Sequence, residues 1–143
     1  MNLGNEFQEI LNTCKCAKFY EFGIDEVIFN HDEQDPLVVI KMGHYKCGDF
    51  EIIFKEVLHH SIMSESYIYM HDEDHWQEKS FIAQAKTSQY AKFIGSYTLL
   101  YSQLEVHDID ESQLKHFRVL SQNFFVDILT TEIPQFKMII TDQ

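Results

Sequence analysis

At 143 residues and 17.0 kDa the chain has the length of one ordinary domain with one buried core. Its 45% apolar and 24% charged residues, with only 5 Gly and 2 Pro, exclude disorder as the dominant state and leave little room for linkers. A formal net charge of −12 with a single arginine, Arg118, excludes a phosphate-neutralising nucleic-acid surface and an anionic-membrane binder.

Phe7, Ile10, Leu11, Cys14 and Ala17 recur at i, i+3, i+4 and i+7, which predicts an amphipathic helix over residues 4–19. Gly23 interrupts it, and Val27-Ile28-Phe29 reads as a short strand before the turn formers of residues 30–36. The run Leu37 to Met42 is β-branched and nearly continuous, as in a strand covered on both faces. Phe50, Ile52 and Phe54 alternate with Glu51, Ile53 and Lys55, predicting a second strand that continues past Val57. Gly43 and Gly48 bracket the connection, so the two strands form a hairpin.

Tyr67 to Met70 predicts another strand, leading into an acidic segment. Tyr90, Phe93, Ile94 and Tyr97 return to helical spacing, with Phe81, Ile82 and Ala85 in a different phase, and a second helix is placed near residues 78–94. Leu100, Leu104 and Val106 are assigned to one face of a strand, and Phe117 with Val119 to the next. Ser121-Gln122-Asn123 is a turn; Phe124, Val126 and Ile128 share a strand face, and Phe136, Met138 and Ile140 form the last strand. The expectation is an α+β fold in one domain, 1–143, with a largely antiparallel sheet of about seven or eight strands.

No apolar run approaches the ~20 residues of a bilayer span, and Met1 to Glu9 lack an export signal, so a soluble cytoplasmic chain is expected. Cys14, Cys16 and Cys47 are odd in number and spaced unlike a disulfide framework, which fits a reducing compartment. Cys14 is expected in the core and Cys16 toward the flank of the helix. Two cysteines so close on a helix diverge by about 200°, a poor start for a zinc site.

The acidic residues are clustered. Residues 25–35 hold Asp25, Glu26, Asp32, Glu33 and Asp35; residues 65–78 hold Glu65, Asp72, Glu73, Asp74 and Glu78; residues 105–111 hold Glu105, Asp108, Asp110 and Glu111, and none of the three contains Lys or Arg. Concentrated negative potential speeds encounter with a basic partner, whereas solvated surface charge keeps a protein in solution. Tyr67, Tyr69 and Trp76 flank the run Asp72-Glu73-Asp74, and Tyr and Trp are favoured interface anchors. Trp76 either anchors a partner or closes the end of the sheet.

His71 and His75 lie four residues apart and offer a metal-binding alternative, as an enzyme or sensor. Asp72 stands where a zinc-protease helix places its general-base glutamate. Nucleophile-elbow, phosphate-loop and dinucleotide fingerprints are absent, so no catalytic residue and no cofactor is expected. A further alternative is a domain that assembles with its own copies through a sheet edge.

Compact, acidic, poor in Arg and rich in aromatics, the chain resembles bacterial toxin-immunity proteins, including those of contact-dependent inhibition systems. The resemblance rests on general character rather than a motif. It implies a non-enzymatic protein that neutralises a basic toxin, such as a nuclease, by covering its active site or an adjacent surface. The residues expected to meet that toxin are Tyr67, Tyr69, Asp72, Glu73, Asp74, Trp76, Asp32, Glu33 and Asp35.

Overall fold

A computed structural model describes residues 1–15, 17–30, 34–64 and 74–139. Among these residues the fold is α+β, with three α-helices and nine strands in two antiparallel sheets. The first sheet has the order β1-β2-β3-β9, from β1 (Gly23–Asn30), β2 (Leu37–His44), β3 (Gly48–Phe54) and β9 (Gln135–Met138). The second has the order β4-β8-β7-β6-β5, from β4 (Val57–Ser64), β5 (Trp76–Lys79), β6 (Ile82–Ala85), β7 (Lys115–Leu120) and β8 (Phe124–Thr130).

One apolar core joins both sheets to α1 (Asn5–Thr13). Val38, Ile40 and Met42 of β2 and Phe50, Ile52 and Phe54 of β3 enter it from the first sheet, and Phe117, Val119, Val126 and Ile128 from the second. Phe7 of α1 packs against Phe136 of β9 at a ring separation of 4.7 Å, closing one end. The alternate positions of β7 and β8 face the other way, and they too are buried. There Leu129 packs with Ala91 and Ile94 of α2 (Gln89–Tyr97) and Leu100 of α3 (Leu100–Val106). A strand pair covered on both sides has little room for polar groups, so those it does bury must find partners.

Several sequence expectations change. The first helix ends at Thr13; Ala17 bonds back to the Cys14 carbonyl in a turn, and residues 19–21 form a 3-10 turn. Spacing of three residues fits such turns as well as a helix. The Leu37–Met42 strand alternates buried and half-buried residues instead of being equally covered. The strand through Phe54 does not run on past Val57, because Glu56 takes a left-handed φ of 51° and the chain enters the other sheet. The second helix is present but begins at Gln89, and residues 76–85 form a hairpin in which Lys79 pairs with Ile82 across a tight turn at Ser80, φ 57°. The phase change between Ile82 and Tyr90 marks that boundary.

Leu100 and Leu104 belong to a helix, not a strand; both are buried, whereas Val106 is 80% exposed and so off their face. Their four-residue separation is helical spacing. The strand expected at Tyr67 to Met70 lies outside the described residues. Cys14 is buried as expected, yet it forms a disulfide with Cys47, which ties the end of α1 to the turn between β2 and β3. The sequence separation of 33 residues hid this pairing. Among the described residues no helix is long and apolar enough to cross a membrane.

Candidate partner-binding face

Of the residues expected to meet a partner, Tyr67, Tyr69, Asp72, Glu73, Asp32 and Glu33 lie outside the described residues, as does His71. Asp35 is exposed just before β2. His75 is exposed with φ 51°. Asp74 is only 2% exposed and holds the chain entering α2: its Oδ1 accepts the Gln89 N–H at 2.8 Å, and its carbonyl accepts the Lys86 and Thr87 N–H groups. A carboxylate receiving the first N–H of a helix serves the fold, since that donor has no intrahelical partner.

Trp76 is half-buried at the start of β5. Arg118 lies over its ring at 4.8 Å, His116 meets its edge at 5.0 Å, and its Nε1–H is buried with no hydrogen-bond partner among the described residues. Trp76 thus packs over β7 at the end of the second sheet.

Beneath Trp76 is a connected polar network. Arg118 and Asp127 sit directly opposite each other on β7 and β8, and Arg118 donates to both carboxylate oxygens, from Nε at 2.8 Å and from a terminal nitrogen at 3.3 Å. His116 Nε2 lies 2.6 Å from the same carboxylate, and its Nδ1 lies 2.7 Å from the Ser88 hydroxyl. Ser88 caps α2 by accepting the Ala91 N–H at 2.9 Å. Burial alone would raise the pKa of Asp127, but hydrogen bonds from His116 and Arg118, with their charges, outweigh it and hold the carboxyl below its ordinary value.

Ser88, His116 and Asp127 are the residue types of a hydrolytic triad. Here the ring nitrogens serve the opposite partners from those of the usual arrangement, and the serine oxygen is engaged in capping a helix. The arrangement locks α2 to β7 and β8. Tyr90 completes it: its ring stacks on His116 at 4.9 Å, its hydroxyl lies 2.6 Å from the Ser61 hydroxyl, and burial pushes its pKa up to about 12.

The outer side of the same helices is different. Phe93, Tyr97, Leu99 and Val106 are 61%, 78%, 73% and 80% exposed. Phe93 and Tyr97 are ring neighbours at 5.0 Å. The sequence grouped them with Tyr90 and Ile94 as one apolar helix face, but α2 buries Ala91 and Gly95 and turns Phe93 and Tyr97 outward. Along α3 and the segment that follows it, a groove of about 630 Å3 is lined by Tyr101, Leu104, Glu105, Asp108, Ile109, Asp110, Glu111, Ser112 and Gln113. Tyr101 and Leu104 of α3 thus share this groove with the third acidic cluster of the sequence.

Asp110 is pinned within that groove. Its carboxylate accepts the Ser112 N–H at 2.9 Å, and that bond holds its pKa below the ordinary value. Asp108 makes the tight exit from α3 with φ 54°. Exposed aromatics and carboxylates on one pair of helices have the composition of an interaction surface: the rings supply contact area, and the charges select and steer. The sequence signal was present in Phe93, Tyr97 and residues 105–111, but their neighbourhood depends on how α2 and α3 fold together. The chain has no significant match to any protein-family model, curated protein or solved structure.

Proposed function

We propose that the protein is a non-enzymatic inhibitor that binds a basic toxin domain, such as a nuclease, through the α2–α3 face and thereby covers the toxin's active site or a surface beside it. The observation that carries this reading is the exposed set Phe93, Tyr97, Leu99 and Val106 on α2, α3 and their link, together with the Glu105-to-Glu111 groove on α3 and the segment after it. The net charge of −12 adds a long-range attraction toward a cationic partner. Carboxylates at the rim accelerate association, while apolar anchors that lose water on docking slow dissociation.

The test is titration of a panel of basic toxin nuclease domains against the wild type, with nuclease activity and association rate as readouts. Inhibition of one cognate domain is expected, with an association rate that falls as salt rises. The combined variant Glu105→Gln, Asp108→Asn and Glu111→Gln should slow association, and Phe93→Ala with Tyr97→Ala should speed dissociation. Failure to inhibit any domain of the panel, or inhibition unchanged in both variants, overturns the proposal.

A further inference from the structure

Where the end of α1 meets the end of β2 and the turn after it, three side chains with metal-binding chemistry come together. The ligand atoms of Cys14, His44 and Cys47 all lie within 4.8 Å of one another, and all three residues are buried. Cys14 closes α1, His44 ends β2 and Cys47 lies in the turn that follows, where its N–H donates to the His44 carbonyl. The Lys46 backbone N–H donates to His44 Nδ1 at 3.0 Å, so that nitrogen carries the lone pair. Nε2–H then faces the Glu21 carboxylate at 3.3 Å, and the half-exposed Glu21 is held below its ordinary pKa chiefly by this bond. A carboxylate on the far nitrogen of an imidazole is the usual orienting partner of a metal-ligating histidine.

We propose that in the reduced chain Cys14, Cys47 and His44 bind one zinc ion, with Nδ1 as the histidine ligand and Glu21 orienting the ring, and that oxidation to the Cys14–Cys47 disulfide expels it. Two thiolates and one imidazole suit a borderline-soft ion with tetrahedral preference, leaving the fourth position to water. In forming the site, two molecules of a glutathione-class thiol reduce the disulfide and become one disulfide themselves. Zinc then replaces the two cysteine protons, which pass to solvent, and displaces the Lys46 N–H from Nδ1. In the reverse direction one hydrogen peroxide and two protons convert the two thiolates to the disulfide, giving two waters and free zinc. The turn at Tyr45 and Lys46, whose side chains are exposed, would register the change at the surface.

The test uses the full chain, purified without an affinity tag, reduced with a phosphine in the absence of oxygen and titrated with zinc alone. One zinc per chain is expected, and cobalt(II) in its place should show thiolate charge-transfer absorption. Stoichiometric peroxide should release the metal and lower the thiols counted in denaturant from three, the number of cysteines, to one. Glu21→Gln, at an exposed position, should weaken zinc binding about 10–100-fold while leaving disulfide formation intact. Cys47→Ser should weaken it further. A reduced chain that takes up no zinc, cobalt absorption without a thiolate band, or zinc affinity unchanged in both variants overturns the proposal.

Discussion

The ring of Tyr101 on α3 occupies the space that a β-carbon on Gly95 of α2 would fill. The two helices are joined by only two residues, Thr98 and Leu99, and this close approach lets α3 fold back while Tyr101 lines the acidic groove. Gly95→Ala gains helix propensity of about 1 kcal/mol but forces the aromatic ring away. The expected outcome is a shifted Tyr101 environment and weaker partner binding with the fold retained. Near-ultraviolet circular dichroism and binding kinetics of the variant report both.

Asp127 neutralises Arg118 within the second sheet, and the two face each other across β7 and β8. Asp127→Asn leaves the guanidinium beside a neutral amide in a buried setting. Removing one member of such a pair costs about 3–5 kcal/mol. Urea unfolding should therefore show Asp127→Asn among the most destabilising single substitutions in the second sheet. A loss below about 1 kcal/mol would show that water or rearrangement compensates.

Stability should fall on acidification in two windows. Burial holds the His59 pKa below its ordinary value of about 6.5, so below that pH the unfolded chain takes up a proton that the folded chain resists. Asp127 is also lowered, so its contribution is complete above the unfolded value of about 3.9 and is lost as pH falls through its folded value. Chemical unfolding measured across pH should show His59→Gln flattening the upper window and Asp127→Asn the lower one.

Asp74 separates a structural carboxylate from the binding ones. Asp74→Ala removes the acceptor for the Gln89 N–H at the start of α2, and loss of such a cap costs about 0.5–2 kcal/mol. Its expected signature is a lower thermal midpoint. Glu105→Gln, on an exposed part of α3, should do the reverse, leaving the midpoint in place and slowing association.

Tyr90 should ionise late in an ultraviolet titration, because burial raises its phenol to about 12. Tyr90→Phe removes that late step. It also deprives Ser61 of a 2.6 Å partner, a loss of about 0.5–1.5 kcal/mol.

Alternation and composition carried much of the fold by themselves. The β2–β3 hairpin, the strands from Lys115 to Thr130 and the helix at Phe7 and Ile10 were all legible, because each shows its buried face as a local period in the chain. Short apolar stretches were not: Leu100 and Leu104 suit a strand or a helix until the coverage of Leu129 selects the helix. The acidic surplus was likewise countable in advance, and with it the expectation of a cationic partner.

Tertiary structure alone decided which carboxylates are available. Asp74 and Asp127 look like their neighbours in composition but are consumed inside the protein by N–H donors and a guanidinium, whereas Glu105 and Asp108 remain at the surface. It also turned Phe93 and Tyr97 outward and joined Cys14 to His44 and Cys47. These outcomes depend on contacts between segments distant in sequence. Local periodicity fixes which way a side chain leaves its own helix or strand, but not what another segment brings to meet it.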